Sequence, residues 1–275
     1  MIDFKIDEEK CISCGLCAQE CPMGIIEIKD LPLIRKGKEA LCLRCQHCLA
    51  VCPTAALSIL GKKPEDSVSV NGAMPKPEEL TRMIKTRRSI RKYKDENVDA
   101  DLIRELLETA SYAPTGHNDN AVLFSILDDK KQMMKFRELV YAAIKEEGDA
   151  GTLEERFRFL QGIQRVWEKK GVDVIFRDAP HVLIASAPTD GGSAMSDSMI
   201  ALSYFELLAN SYGLGVLWNG MIQWAINDIS PKLRKHIGIP EDHEIGYVLL
   251  FGKPTVKYPR GIQTEGTHIN RITLD

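Results

Sequence analysis

Cysteine usage constrains this chain more than any other feature. All eight cysteines fall between Cys11 and Cys52, and none follows. They form two runs of one pattern, Cys11, Cys14, Cys17 and Cys21 before Pro22, then Cys42, Cys45, Cys48 and Cys52 before Pro53. Each run reads C-x2-C-x2-C-x3-C-P, and the second repeats the first 31 positions later, an internal duplication. Three thiolates spaced this way in a tightly wound loop converge on three corners of a cubane iron–sulfur cluster, while the fourth lies across the next turn. Disulfides and zinc are the competing readings. Confinement of every cysteine to one end of a 275-residue chain that opens without a signal-peptide pattern argues for a reducing compartment. Structural zinc takes four ligands per site and seldom shows four cysteines at this spacing with a trailing proline, twice over.

Over residues 1–60 this block resembles the two-cluster bacterial ferredoxins. The resemblance implies a small ferredoxin-like domain holding two [4Fe–4S] clusters with crossed ligation. Cys11, Cys14, Cys17 and Cys52 would hold one, and Cys42, Cys45, Cys48 and Cys21 the other. So small a domain buries little apolar surface, so the clusters are expected to supply much of its folding free energy.

The whole chain has the composition of an ordinary globular protein, 44% hydrophobic and 27% charged. A net charge of −3 offers no general attraction to nucleic acid or an anionic membrane. The most apolar window, from Met199 to Trp218, is broken by Glu206, Asn210 and two glycines and is no transmembrane span. A cytoplasmic protein with neither nucleic acid nor membrane as partner is expected.

Short strands are expected at Phe4–Ile6 and Ile25–Ile28, with Ala55–Leu60 as the matching segment of the repeat. Residues 61–77, rich in Lys-Pro, Asn-Gly and Pro-Lys-Pro, read as a linker that spans about 20–25 Å as coil. Residues 78–275 form the second domain. Pro77-Glu78-Glu79 opens a helix with Leu80, Met83 and Ile84 as its apolar stripe. Asp99 caps an amphipathic helix with Leu102, Ile103, Leu106, Leu107 and Ala110 inward, ending before Pro114. Strands follow at Val122–Leu127, Val182–Ala187, Val216–Trp218 and Glu244–Phe251. Helices run from Asp128 or Asp129 to about Glu147, from Leu153 to Lys170 and from Met195 to Tyr212, with a short one begun by Ser230-Pro231. No G-x-G-x-x-G follows a first strand, so a Rossmann site is unsupported. The expected class is α+β, a mixed sheet flanked by helices.

Arg87-Arg88-Ser89-Ile90-Arg91 is the informative stretch of this domain. In extended chain, Arg87, Ser89 and Arg91 share one face. Two guanidiniums and a hydroxyl there grip a phosphate through charge-assisted hydrogen bonds. A solvated basic run is the commoner fate of such a sequence.

This stretch, Ala113-Pro114-Thr115-Gly116-His117-Asn118, Gly213 to Gly220, Phe251-Gly252-Lys253-Pro254 and Lys257 to Arg260 together resemble the FMN-dependent nitroreductase family over roughly residues 78–260. The resemblance implies an intertwined homodimer with FMN at its interface. By position, Arg87, Ser89 and Arg91 match the family's phosphate and ribityl contacts. Thr115 and Asn118 match the polar loop near the flavin. Asn219-Gly220 matches the backbone N–H offered to flavin N5, and Lys257 and Arg260 match the closing basic pair. The chain departs from the family at Asp119-Asn120-Ala121, where Gln-Pro is common. Trp218 reads equally as core or as flavin stacking, His117 as a surface residue or a proton donor near the flavin, His47 as a neighbour that tunes the second cluster, and Arg165 with Trp167 as lining a substrate lid. No residue stands out as the catalytic acid.

The expected activity is an FMN-dependent oxidoreductase. Two [4Fe–4S] clusters deliver low-potential electrons, and a nitro compound, quinone or activated alkene is reduced at the flavin. An external ferredoxin or NAD(P)H is the expected electron source. An electron carrier or redox sensor without its own substrate, or another flavin chemistry such as reductive dehalogenation, are the alternatives.

Overall fold

A computed structural model describes residues 2–274. The chain divides into two compact units. One runs to Pro75 and includes His117–Asp119; the other comprises Lys76–Gly116 and Asn120–Asp275.

The first unit is a pseudo-symmetric pair of half-repeats. Strand β1 (Phe4–Ile6), helix α1 (Leu16–Gln19) and strand β2 (Ile26–Ile28) belong to the first half. Strand β3 (Pro32–Ile34), helix α2 (His47–Ala50) and strand β4 (Leu57–Ile59) belong to the second. Antiparallel β1–β4 pairing sets Phe4 opposite Ile59 and Ile6 opposite Leu57, so the end of the unit returns to its start. Strands β2 and β3 pair antiparallel, Ile26 opposite Ile34; β3 is a strand that the sequence reading did not anticipate. The duplication is conformational as well as chemical. Left-handed backbone recurs at counterpart positions: Ser13 (φ 51°) and Arg44 (φ 56°), Gly15 (φ 77°) and Gln46 (φ 61°), Gly24 (φ 57°) and Ala55 (φ 54°). Ile25, Ile26, Leu49, Leu57 and Ile59 are buried beside Cys17 and Cys48 in one small core.

The second unit is built on a four-stranded sheet. Its strands are β5 (Leu123–Leu127), β6 (His181–Pro188), β7 (Gly215–Trp218) and β8 (His243–Gly252), in the order β5-β6-β8-β7. All three pairings are antiparallel. The sheet becomes mixed only at its β7 edge, where Ser89 forms a parallel bridge to Val216.

Both faces are covered, which explains why β6 reads as an unbroken apolar run. Alternate residues serve opposite cores. Leu183 and Ala185 face one core with Val216, Leu249 and Phe251, together with Ile103 and Leu106 of α4 (Ala100–Ala110) and Leu202 and Phe205 of α7 (Ala194–Ser211). Val182 and Ile184 face the other, with Val248, Leu250, residues of α5 (Lys130–Ala150) and Leu160 of α6 (Arg158–Lys170). Each fully buried leucine contributes about 1.5–3 kcal/mol.

Helix starts follow from side-chain caps. Asp99 Oδ1 accepts from the N–H groups of Asp101 (3.0 Å) and Leu102 (3.1 Å). Asp129, rather than Asp128, accepts from Lys131 and Gln132 at the start of α5. That helix continues to Ala150, past the expected Glu147, and Gly151 closes it at φ 73°. The helix expected from Leu153 begins only at Arg158, after a 3-10 turn over Glu155–Phe157. Helix α3 (Pro77–Thr86) carries the expected stripe, but none of its residues is buried; Leu80 and Ile84 stand exposed. Among the described residues no helix is long and apolar enough to cross a membrane.

Candidate functional site

In the first unit the eight thiols are sorted between two cavities. One is lined by Cys11, Cys14, Cys17 and Cys52, the other by Cys21, Cys42, Cys45 and Cys48. Each therefore takes three thiols from one run and its fourth from the other. None of the eight is in a disulfide. Apolar side chains close the cavities: Ile6, Leu16 and Leu57 around the first, Ile25, Ile26, Ile34 and Ile59 around the second. Among the described residues no three of His, Cys, Asp or Glu converge on one ion. The thiols are spread around walls instead, the arrangement a cubane needs, since its irons occupy separate corners.

The thiols differ in environment. Burial pushes the Cys17 thiol up and the Cys48 thiol up to about 11. Burial acts the same way on Cys52, but N–H donors from Ala56 and Thr54 and the Thr54 hydroxyl outweigh it and leave that thiol below its ordinary value. The Ala56 N–H lies 3.3 Å from Cys52 Sγ and Thr54 Oγ1 lies 3.8 Å from it. His47 lines the second cavity and is exposed.

In the second unit, the chain leaving α3 runs along the β7 edge. The Ile90 N–H donates to the Val216 carbonyl at 3.0 Å, and Ile90 is buried against Gly215. That contact requires glycine, because a Cβ at 215 would meet Ile90 Cγ1 at 2.5 Å. Arg87, Ser89 and Arg91 therefore flank a fixed point. Farther along, the segment pairs with chain from beyond β8. Tyr93 bridges to Pro254, and the Thr255 N–H donates to the Lys92 carbonyl at 3.1 Å. Past Lys257 and Arg260, both exposed, the chain comes back to α3, where a Cβ on Gly261 would lie 2.8 Å from the Lys85 carbonyl oxygen. The two basic segments, far apart in sequence, are thus neighbours.

Arg87 is anchored. Its Nη1 donates to Glu206 Oε1 at 2.8 Å, while Trp218 Nε1 donates to Glu206 Oε2 at 2.9 Å. The Glu206 side chain is 9% exposed and that of Arg87 31%. One buried carboxylate on α7 thus holds both the first arginine of the basic stretch and the end of β7. Trp218 also packs against Tyr247, ring centroids 5.3 Å apart, so it is tied into the core. Sequence reasoning missed Glu206. The available signal was a lone acid among Ala201, Leu202, Phe205 and Ala209 on the buried face of a helix, where an ionised carboxylate requires partners.

Asn219 is buried, and its groups are committed to structure. Its N–H donates to the Val248 carbonyl at 2.9 Å, Nδ2 to the Ile175 carbonyl at 2.7 Å, and Oδ1 accepts from the Ile222 N–H at 3.0 Å. Asn219 is the N-cap of α8 (Gly220–Trp224). The backbone donor available at this point is that of Gly220, since the first N–H groups of a helix lack intrahelical acceptors. Tyr247 Oη and the Trp224 ring crowd Gly220, 3.1 Å and 3.7 Å from where a Cβ would stand.

The 115–118 loop is divided. Thr115 Oγ1 accepts from the Asn120 N–H at 3.0 Å, and the Gly116 N–H donates to both oxygens of Asp197, 3.1 and 3.2 Å away. Asn118 groups with the first unit, its Nδ2 donating to the Leu43 carbonyl at 3.1 Å. His117 is exposed. On α6, Trp167 stacks on Tyr141 at 4.8 Å and 7°, a packing role, while Arg165 is exposed.

An α+β unit with this edge and cap is joined to a unit with two thiol-lined cavities, which defines a redox protein of two modules. Residues 84–253 match the model of the nitroreductase family, and the chain belongs to that family. Residues 10–57 match a 4Fe-4S dicluster domain. A Methanothermobacter thermautotrophicus protein provisionally named NADH dehydrogenase/NAD(P)H nitroreductase is 25% identical over 194 residues, 70% of this chain and 83% of that one. A Methanothermococcus thermolithotrophicus ferredoxin is 38% identical over 56 residues, 20% of this chain and 92% of its own. A Bacteroides fragilis nitroreductase solved with bound FMN superposes with a TM-score of 0.56 at 21% identity, covering 70% of this chain and 99% of its own; it shows the fold.

Proposed function

We propose that the chain is an FMN-dependent oxidoreductase that accepts single electrons at two [4Fe–4S] clusters and reduces a small organic acceptor at the flavin. Nitro compounds, quinones and activated alkenes are the acceptor classes. The observation that carries the reading is the sorting of eight thiols into two cavities of four, on the same chain as a nitroreductase-family unit. Cys11, Cys14, Cys17 and Cys52 hold one cluster, and Cys42, Cys45, Cys48 and Cys21 the other.

FMN, when bound, supplies the conversion between one-electron and two-electron chemistry. The chain's own residues bind and orient it. Arg87, held by Glu206, directs its remaining N–H groups at the phosphate. Ser89 and Arg91 contact the phosphate and ribityl chain from the same extended segment, and Lys257 and Arg260 close from the C-terminal side. Gly220 offers its N–H to N5, and Asn219 fixes the turn that presents it. Thr115 supplies a polar contact from the loop.

A homodimer fits the apolar surface that the single chain leaves uncovered. Leu80 and Ile84 on α3 and Met195, Met199 and Tyr204 on α7 are all exposed. The provisional name of the archaeal relative favours NAD(P)H as donor; the cluster unit favours an external ferredoxin.

The test is anaerobic reduction by dithionite or a reduced ferredoxin, with flavin absorbance followed in the purified protein. Iron, sulfide and FMN content are measured first. Fast bleaching that slows at least tenfold in a folded Cys14→Ser, Cys45→Ser variant supports transfer through the clusters. Equal rates sink that part of the reading. Turnover over a panel of nitro, quinone and enone acceptors then separates an enzyme from an electron carrier.

A further inference from the structure

The two half-repeats match in spacing and in backbone conformation, yet they treat their crossing thiols differently. Cys52, which crosses to the first cavity, has donors at its sulfur, among them the Ala56 N–H at 3.3 Å and the Thr54 hydroxyl at 3.8 Å. Its counterpart Cys21, which crosses to the second cavity, is followed by Met23, Gly24 and Ile25 where the repeat has Thr54, Ala55 and Ala56. Gly24 and Ala55 share the same left-handed turn, at φ 57° and 54°, so the path of the chain is the same. The side chain differs. Met23 has no proton to give and is exposed, the Gly24 N–H donates to the Cys21 carbonyl at 2.9 Å, and among the described residues no hydrogen bond reaches the Cys21 sulfur.

A ligating sulfur is a thiolate and carries no proton, so between Thr54 and Cys52 the hydroxyl must be the donor. Donation to a cluster sulfur stabilises the extra negative charge of the reduced cluster and raises its reduction potential. From this asymmetry we propose that Thr54 makes the two clusters unequal. The cluster held by Cys11, Cys14, Cys17 and Cys52 has the higher potential and takes the first electron, and Thr54 is the residue that sets the difference. The second cavity has its own candidate for the opposite effect, since Arg44 stands where the first repeat has Ser13. Arg44 is exposed, however, and its charge is screened by water, whereas the Thr54 contact is made at the sulfur itself.

The inference rests on the two-cluster reading, and the experiment separates the two. Iron and sulfide analysis of the full-length protein comes first; fewer than two clusters per chain overturns the cluster reading and this inference with it. With two clusters present, an EPR-monitored potentiometric titration follows each reduction step. Two separate steps are expected for the native protein. In Thr54→Val the higher step moves down while the lower one stays, and in Thr54→Ser both remain. Met23→Thr, which adds a hydroxyl at the counterpart position, moves the lower step up. Unmoved potentials in both Thr54→Val and Met23→Thr, or an equal shift of both steps in Thr54→Val, overturn the inference. If Thr54→Val loses iron, the decision falls to Met23→Thr, whose lower step must rise for the inference to stand.

Discussion

Arg87 and Glu206, 119 positions apart, form a charge-assisted hydrogen bond of 2.8 Å in which the carboxylate is nine-tenths buried and the guanidinium reaches the surface. The carboxylate cannot face the protein interior alone, so it fixes where the arginine points. Glu206→Gln keeps the shape and a donor–acceptor pair with Trp218 but removes the charge. FMN affinity, read by quenching of flavin fluorescence, is expected to weaken about tenfold, or ~1.4 kcal/mol. A change in Trp218 emission should accompany it, because its indole N–H bonds the same carboxylate. Arg87→Ala leaves Glu206 without its cation and should lower stability by about 1–3 kcal/mol in urea unfolding.

Gly215→Ala tests whether the basic stretch depends on its seat against β7. The added methyl would meet Ile90 Cγ1 at 2.5 Å and Cβ at 2.7 Å, so the Ser89–Val216 bridge has to open or Ile90 has to move. The expected cost is about 1–3 kcal/mol of stability, together with weaker flavin binding. Ile90→Ala in the same protein removes Cγ1 and Cγ2, two of the three atoms the methyl would meet, and should recover part of the flavin binding. A native-like thermal midpoint and flavin affinity in Gly215→Ala would show that the contact does not position the stretch.

The start of α8 gives a third test. Gly220→Ala puts a methyl 3.1 Å from Tyr247 Oη and 3.7 Å from the Trp224 ring. Flavin affinity is expected to fall several-fold, and Tyr247→Phe, which removes the closest atom, should restore most of it. If Gly220→Ala binds FMN as the native protein does, close approach to this glycine is not part of the site.

His181 links stability to pH. It is fully buried, and its Nε2 accepts from the Val98 N–H at 2.8 Å. Burial holds its pKa below the ordinary histidine value, against smaller opposing effects of the Leu127 carbonyl, Asp128 and Asp129. The unfolded chain therefore takes up a proton more readily than the folded one, so stability is retained at neutral pH and falls as pH drops below about 6.5. Thermal unfolding of the native protein between pH 7.5 and 5.5 should show this slope. His181→Gln, with no titrating ring, should flatten it, and an unchanged slope would place its origin elsewhere.

What the sequence disclosed follows from which kinds of force are local. The cysteine spacing was legible because a cubane dictates it, and Asp99 was legible because a cap acts on residues two and three positions away. The strands at Val182–Ala187 and Glu244–Phe251 announced themselves by apolar runs that only a sheet covered on both faces allows. Glu206 was illegible as a partner of Arg87, because nothing in either neighbourhood encodes an encounter across 119 positions. Strand β3 was hidden because Pro32-Leu33-Ile34 is too short to show a period, and it exists through pairing with β2. Arg158 as the start of α6 was obscured by Glu155–Phe157, whose composition is helical but whose turn is tighter. Which of the pair Asn219-Gly220 has a free backbone donor was not legible; the structure commits the Asn219 N–H to the Val248 carbonyl.

The exchange of fourth thiols between the cavities makes the small unit indivisible. A chain cut anywhere between Cys21 and Cys42 would leave a fragment with three walls of one cavity and a stray corner of the other, and its complement would be equally deficient. During synthesis the first cavity stays one thiol short until Cys52 emerges, almost at the end of the unit, so neither half-repeat can mature ahead of the other. The two copies of the duplicated segment are complete only together.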